Sequence, residues 1–333
     1  MIICRYGYKV TLQIRISGMD DILQVAKNYS REKHIELLPT SRGNILDSLE
    51  FLFDEVWEEE GVEYPYEIIT YLLDCYYVLP ERPDLASLFC WQAINHSYYN
   101  ELLGDLTRRC SDTAGVKKIC EDILLQQSKY LPILETFITK LPIKIFHYVA
   151  SYMLKGYVMK ENNVDRRYRA SSYDTMIRYI PVMKDIIEKS YGKALCNISN
   201  PLIIDSRVLM NIENSVKSRQ IIHSFALKLR ELLLCHETVI TLYRDVIRER
   251  FQFTDQDRIY FILFGILYAS RCNNFHGNVA ARMNSINADR ETFKMYTDIF
   301  LVEYIILAIH MNCRGQLSDQ VLERMKSNSE IML

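Results

Sequence analysis

Glycine and proline are scarce, 11 and 8 in 333 residues. With so few breakers the chain keeps long periodic runs, which favours an all-α protein. A strong charge of one sign is missing as well: 40 basic residues face 42 acidic ones. Net charge therefore provides no long-range attraction to nucleic acid, and any such binding must use a local patch. No two cysteines have the two-residue gap of a zinc or redox motif, and the nine of them make an odd count. Most stand in apolar surroundings, where cysteine behaves as a small hydrophobe, so a reducing, cytoplasmic setting is expected. No apolar run reaches the roughly 20 residues that span a bilayer, and no basic-then-apolar leader is expected, so no membrane partner is. Ile259 to Ala269, the most hydrophobic stretch, is about half that length and reads as a buried helix. There is no carboxylate cluster suited to magnesium, no repeat of fixed period and no low-complexity segment. Neither a metal nor another cofactor is expected.

What is present is a hydrophobic content of 49%, enough to bury a sizeable core as one large domain or two smaller ones. Val10, Leu12, Ile14 and Ile16 alternate with polar residues, the pattern of a half-buried strand, and Gly7 allows a short N-terminal β-hairpin. From Met19 the period becomes helical. Helices are expected over 43–59, 66–79, 84–103, 113–127, 130–140, 142–160 and 173–191, the last closed by Gly192. Pro80 and Pro83 stop the helix over 66–79, and Pro132 and Pro142 mark starts. Residues 193–206 read as irregular. Helices follow at 220–235 and 237–250, and Asp255 is the expected cap of the apolar helix after them. Residues 1–80 are thus an N-terminal helical region, and 81–333 a helical domain with inserted helices between 104 and 254.

Several polar groups invite a chemical reading. Glu58, Glu59 and Glu60 fit a solvated face better than a metal site, since no His or Asp stands beside them at ligand spacing. Trp91 reads as core, and Asn95 and His96 as structural polar residues on the same helix. In the polar break 161–172, Arg166, Arg167 and Arg169 flank Tyr168. That mixture of charge and stacking ring suits RNA contact, though a solvated loop explains it too.

The densest constellation is Tyr268-Ala-Ser-Arg-Cys-Asn-Asn-Phe-His-Gly277. On an uninterrupted helix Arg271 and His276 would point about 140° apart. Asn273, Asn274 and Gly277 weaken or end helices, so the expected geometry is a buried helix that terminates here and presents both side chains. The alternative is a pair completed by a second copy across a dimer. Arg offers a cationic fork matched to phosphate, and His exchanges a proton near neutral pH. Together they can cleave RNA without a metal, leaving a cyclic phosphate and a 5′-hydroxyl.

An apolar helix ending in this Arg271, four residues, His276 and Gly277 resembles the HEPN superfamily. The helix around Leu88-Phe-Cys-Trp-Gln-Ala-Ile-Asn-His-Ser-Tyr98 is similar to the Trp- and Asn-containing helix of some of its members. The resemblance implies an α-helical, dimeric endoribonuclease of toxin or anti-phage systems. It implies Arg271 and His276 as catalytic residues, Asn273 and Gly277 in support, RNA as substrate, and an antitoxin or other regulatory protein as partner. It equally allows a member that has lost catalysis and binds RNA or a protein.

Overall fold

The computed structural model describes residues 45–102, 111–168, 171–204, 207–244, 247–275 and 289–332. The fold is mostly helical, with two small antiparallel two-stranded sheets. The expected hairpin in 1–17, the helix from Met19, Arg169, His276 and Gly277 lie outside the described residues. The described chain divides into two compact units. One holds 45–142 and 289–332, the other 143–275.

The first unit opens without the helix expected over 43–59. Two 3₁₀ turns, Ile45–Asp47 and Glu55–Glu58, flank an extended segment. Its burial alternates: Leu49 and Leu52 are buried, Phe51 and Phe53 exposed. Borrowed partners hold it extended. Glu50 donates its N–H to Asn328 Oδ1 at 2.7 Å, and Leu52 donates to the Tyr304 hydroxyl at 2.5 Å. Helices α1 (Tyr66–Val78), α2 (Pro83–Leu102), α3 (Asp112–Leu125) and α4 (Gln127–Ile138) follow, close to expectation. Pro132 lies within α4, one turn past its start. Trp91 is fully buried, as its apolar helix implied. Tyr98 donates its hydroxyl to Asn95 Oδ1, and His96 Nε2 stands 3.9 Å from Glu67 Oε2, so both polar residues have structural partners.

The second unit begins with α5 (Ile143–Glu161) and α6 (Ser171–Tyr179). Next comes α7, continuous from 181 to 196 as Pro181–Ile186, a π-helical turn Ile187–Tyr191 and Gly192–Cys196. Gly192 does not close a helix; it lies inside one. An added Cβ would come 2.6 Å from the Ile187 carbonyl oxygen and from the Tyr157 ring, so the glycine permits a close approach. The expected irregular stretch after it contains the hairpin β1 (Ser199–Ile204) and β2 (Arg207–Ile212), with Ser199 opposite Ile212. Helix α8 (Ser215–Cys235) starts earlier than expected because Asn214 caps it, accepting from Lys217 N at 2.9 Å.

The helix expected over 237–250 is instead a second hairpin, β3 (Glu237–Thr241) and β4 (Arg248–Gln252). His236, at φ +63°, turns the chain out of α8. Thr238 and Ile240 then point inward, with Phe251 on the opposite strand, and Arg250 pairs with Glu237. Helix α9 occupies 255–275 as Asp255–Tyr260, a π-helical segment Phe261–Tyr268, and Ala269–Phe275. Its cap is Thr254, not Asp255. Thr254 Oγ1 accepts from Asp257 N, and Asp257 Oδ2 accepts from Thr254 N, a reciprocal capping box.

The chain then re-enters the first unit as α10 (Arg290–Cys313), buried nearly throughout, and α11 (Asp319–Met325). Helix α10 packs on α2, α3 and α4. Cys75, Cys90, Cys120 and Cys272 are buried free thiols, consistent with cysteine used as a small hydrophobe. Among the described residues no helix is long and apolar enough to cross a membrane.

Candidate functional site

Phe261-Ile-Leu-Phe-Gly-Ile-Leu-Tyr268 is apolar on every side, so α9 has no face for water and its first seven residues in this segment are buried. Rings hold it. Phe264 stacks on Tyr179 at 4.8 Å and 4°, and Phe261 stacks on Phe146 at 6.2 Å. Gly265 makes room for Met176, whose Cε would lie 2.8 Å from an added Cβ. A π-helical register widens the helix and misaligns its carbonyls; such segments are frequent at functional sites. Two tyrosines of α5 compensate. Tyr152 donates its hydroxyl to the Gly265 carbonyl and Tyr148 to that of Ala269, each at 2.9 Å. Burial first, then the neighbouring Cys272, pushes the Tyr152 phenol well above its usual range, so it stays a proton donor.

This bracing leads directly into the Arg271 turn. Arg271 is half-buried, on the helix piece Ala269–Phe275. Its guanidinium lies 5.8 Å from the centre of the Tyr268 ring, within cation–π reach. Its Nη1 is 4.0 Å from the Sγ of buried Cys272. Asn273 belongs to the same helical turn, though its side chain is outside the described residues, as are His276 and Gly277 entirely. Arg271 thus stands on the last described turns of a buried, braced helix. The arrangement can present a planar cation to a phosphate.

Arg166 and Arg167 sit on an exposed 3₁₀ turn, Arg166–Tyr168. Each already meets a carboxylate: Arg166 Nε is 2.9 Å from Asp174 Oδ2, and Arg167 Nη2 is 3.0 Å from Asp165 Oδ2. The Tyr168 side chain is outside the described residues. Among the described residues no group of three or more His, Cys, Asp or Glu side chains converges to hold a metal.

A histidine pair escaped the sequence reading. His147 Nε2 and His223 Nδ1 are 2.7 Å apart, joining α5 to α8. A hydrogen bond there needs one ring nitrogen bare and the other protonated. Burial, then the charge of His223, pushes His147 below the usual imidazole range. The two residues are 76 positions apart, so no local spacing links them. His147 adjoins Tyr148, which holds the Ala269 carbonyl two residues before Arg271.

No family model, no curated protein and no solved structure matches this chain.

Proposed function

We propose that the chain is a metal-independent endoribonuclease of HEPN type, acting as a dimer in a toxin or anti-phage setting. The observation that supports it best is Arg271 on the final described turn of a buried helix, steadied by the Tyr268 ring and by two tyrosine hydroxyls one turn below. The sequence adds His276 five residues on, followed by Gly277. In this reading His276 removes the ribose 2′-hydroxyl proton, and the freed oxygen attacks phosphorus. Arg271 neutralises the charge gathering on the non-bridging oxygens. The 5′-oxygen leaves and takes a proton, which the His276 of a second copy supplies. Asn273 orients the imidazole or the scissile group. The products are a cyclic phosphate and a 5′-hydroxyl.

The test is purified protein on a mixed RNA pool in EDTA, beside His276→Ala and Arg271→Ala. Wild type alone should cleave and leave cyclic-phosphate ends, with each variant at least ~100-fold slower, the usual scale for losing a general base or a charge stabiliser. Equal cleavage by all three would remove this site from the reaction. A second reading, a non-catalytic helical module that binds a partner, draws on the exposed apolar surface around Trp57.

A further inference from the structure

From Gly43 to Glu81 the sequence carries eleven acidic residues and no lysine or arginine. The whole chain is nearly neutral, so the remainder holds a compensating positive excess. The acidic residues are not spread evenly. Glu55, Glu58, Glu59, Glu60 and Glu63 crowd the 3₁₀ turn Glu55–Glu58 and the loop after it, and all five are exposed. None of the ion pairs found among the described residues includes any of the five. Arg324 pairs instead with Glu50, its Nε 3.1 Å from Oε1.

The same loop exposes apolar surface. Val56 is 41% exposed, Val62 38%, Tyr64 42% and Tyr66 65%. Gly61, at φ +87°, makes the turn that brings Val62 and Tyr64 back beside Trp57. Trp57 packs edge-on against Phe53 and Tyr64, at 5.7 and 6.0 Å, and its Nε1 donates to the Gln316 carbonyl at 2.7 Å. Between this loop and Gly315–Ser318 is an open cavity of about 310 Å³, lined by Val56, Trp57, Val62, Glu63, Leu317 and Asp54 among others. Asp54 is a fixed part of its wall. Burial works to raise its carboxyl, but hydrogen bonds from Ser318 and Val56 and the charge of Arg324 prevail and hold it below the usual range. It is therefore a carboxylate at neutral pH.

Exposed aromatic and branched side chains cost solubility, and crowded unpaired carboxylates repel one another. A partner carrying both apolar and cationic side chains relieves both. We infer that the surface formed by Val56, Val62, Tyr64 and the cavity beside Trp57, rimmed by Glu55 to Glu63, docks a basic, apolar segment of a protein partner. Apolar side chains of that segment cover Val56, Val62 and Tyr64, and one arginine or lysine enters the cavity toward Asp54 and Glu63. The charge excludes RNA from this face. The inference stands apart from the ribonuclease reading, since Arg271 belongs to the other unit.

The probe is an eight-residue peptide alternating arginine and leucine, titrated into the full chain. Binding is read by peptide anisotropy and by indole fluorescence, because Trp57 borders the cavity whereas Trp91 is fully buried. Two surface variants, E58Q/E59Q/E60Q/E63Q and V56N/V62N, should each weaken binding at least ten-fold, and a glutamate–leucine peptide should not bind. An arginine–glycine peptide should bind at least ten-fold more weakly than the leucine one. Equal affinity for the two arginine peptides would reduce the surface to counterion attraction and overturn the inference. So would an affinity untouched by either variant, competition by an RNA oligonucleotide that the glutamine variant abolishes, or self-association lost in V56N/V62N without peptide binding.

Discussion

Helices α9 and α10 are both removed from water almost along their length, yet they solve burial differently. Through Phe261–Tyr268 helix α9 uses apolar residues only, and the polar problem of that stretch is confined to the backbone, where Tyr152, with Tyr148 just beyond, resolves it. Helix α10 places Asp298, Glu303 and His310 in the interior, each 0% exposed. A charge there would cost far more than a surface charge, so Glu303 and His310 give up charge instead. Burial drives Glu303 well above the usual carboxyl range, only partly offset by the Ser87 hydroxyl. Burial, helped by the positive charges of Arg314 and Lys118, drives His310 down to about 3. A core of rings gives stability that ignores pH, while a core with neutralised acids and bases gives stability that depends on it.

The sharpest way to break this contrast is to hollow α9. Phe264→Ala removes a ring stacked on Tyr179 and should cost about 3–5 kcal/mol in denaturant unfolding, equally at pH 5 and pH 8. A loss that varies with pH would show α9 to be no purer than α10.

The second test is the pH profile of wild-type stability. His310 has a lowered folded value, so its contribution is intact above 6.5 and is lost as pH falls toward 3. Glu303 has a raised folded value, so its contribution is intact below 4.5 and is lost as pH rises toward that value. From these two groups stability should be level between about 4.5 and 6.5, where their slopes cancel. On either side it should fall by about 1.4 kcal/mol per pH unit. Glu303→Gln should flatten the alkaline limb and, with only His310 left, make stability rise with pH by about 1.4 kcal/mol per unit across the former plateau. An unchanged limb would mean that Glu303 is not the group responsible.

The smallest effect should come from Tyr152→Phe. It deletes one hydrogen bond to the Gly265 carbonyl and should cost about 1 kcal/mol in the same measurement. If RNA cleavage falls with it while Arg271 stays in place, the bracing of α9 matters to the site and not only to the fold.

Helical periods made much of this architecture legible. α1, α2 and α5 repeat apolar residues for several turns, and their ends fall near expectation. The misses have two causes, a local pattern overruled by partners distant in sequence and a local signal outweighed by another. Ile45, Leu46, Leu49, Phe53 and Val56 fit a helix, but Asn328 and the Tyr304 hydroxyl take the backbone donors of 50 and 52 and hold the segment extended. Residues 237–250 end in Arg244, Arg248 and Arg250, which suit a helix C-terminus, yet they belong to a hairpin. Thr238-Val-Ile-Thr241 is a β-branched run, a strand signal visible in the sequence. Of the site, the buried apolar helix that carries Arg271 could be read from the run Ile259 to Ala269, while the end expected from Asn273, Asn274 and Gly277 falls past Phe275, outside the described residues. The tyrosine braces and the His147–His223 pair could not, because only the packing of α5 on its neighbours brings them together.

The unit that holds α10 is assembled from two stretches of chain separated by the whole of 143–275. During synthesis at about 5–20 residues per second, α1 to α4 emerge first but lack their central helix. The described part of the other unit, 143–275, is one continuous stretch and leaves the ribosome together. The segment made earliest is thus completed last, and for several seconds its apolar faces await a strut not yet translated. A stop codon after residue 280 would remove α10 and α11 from the first unit and turn it into chaperone substrate.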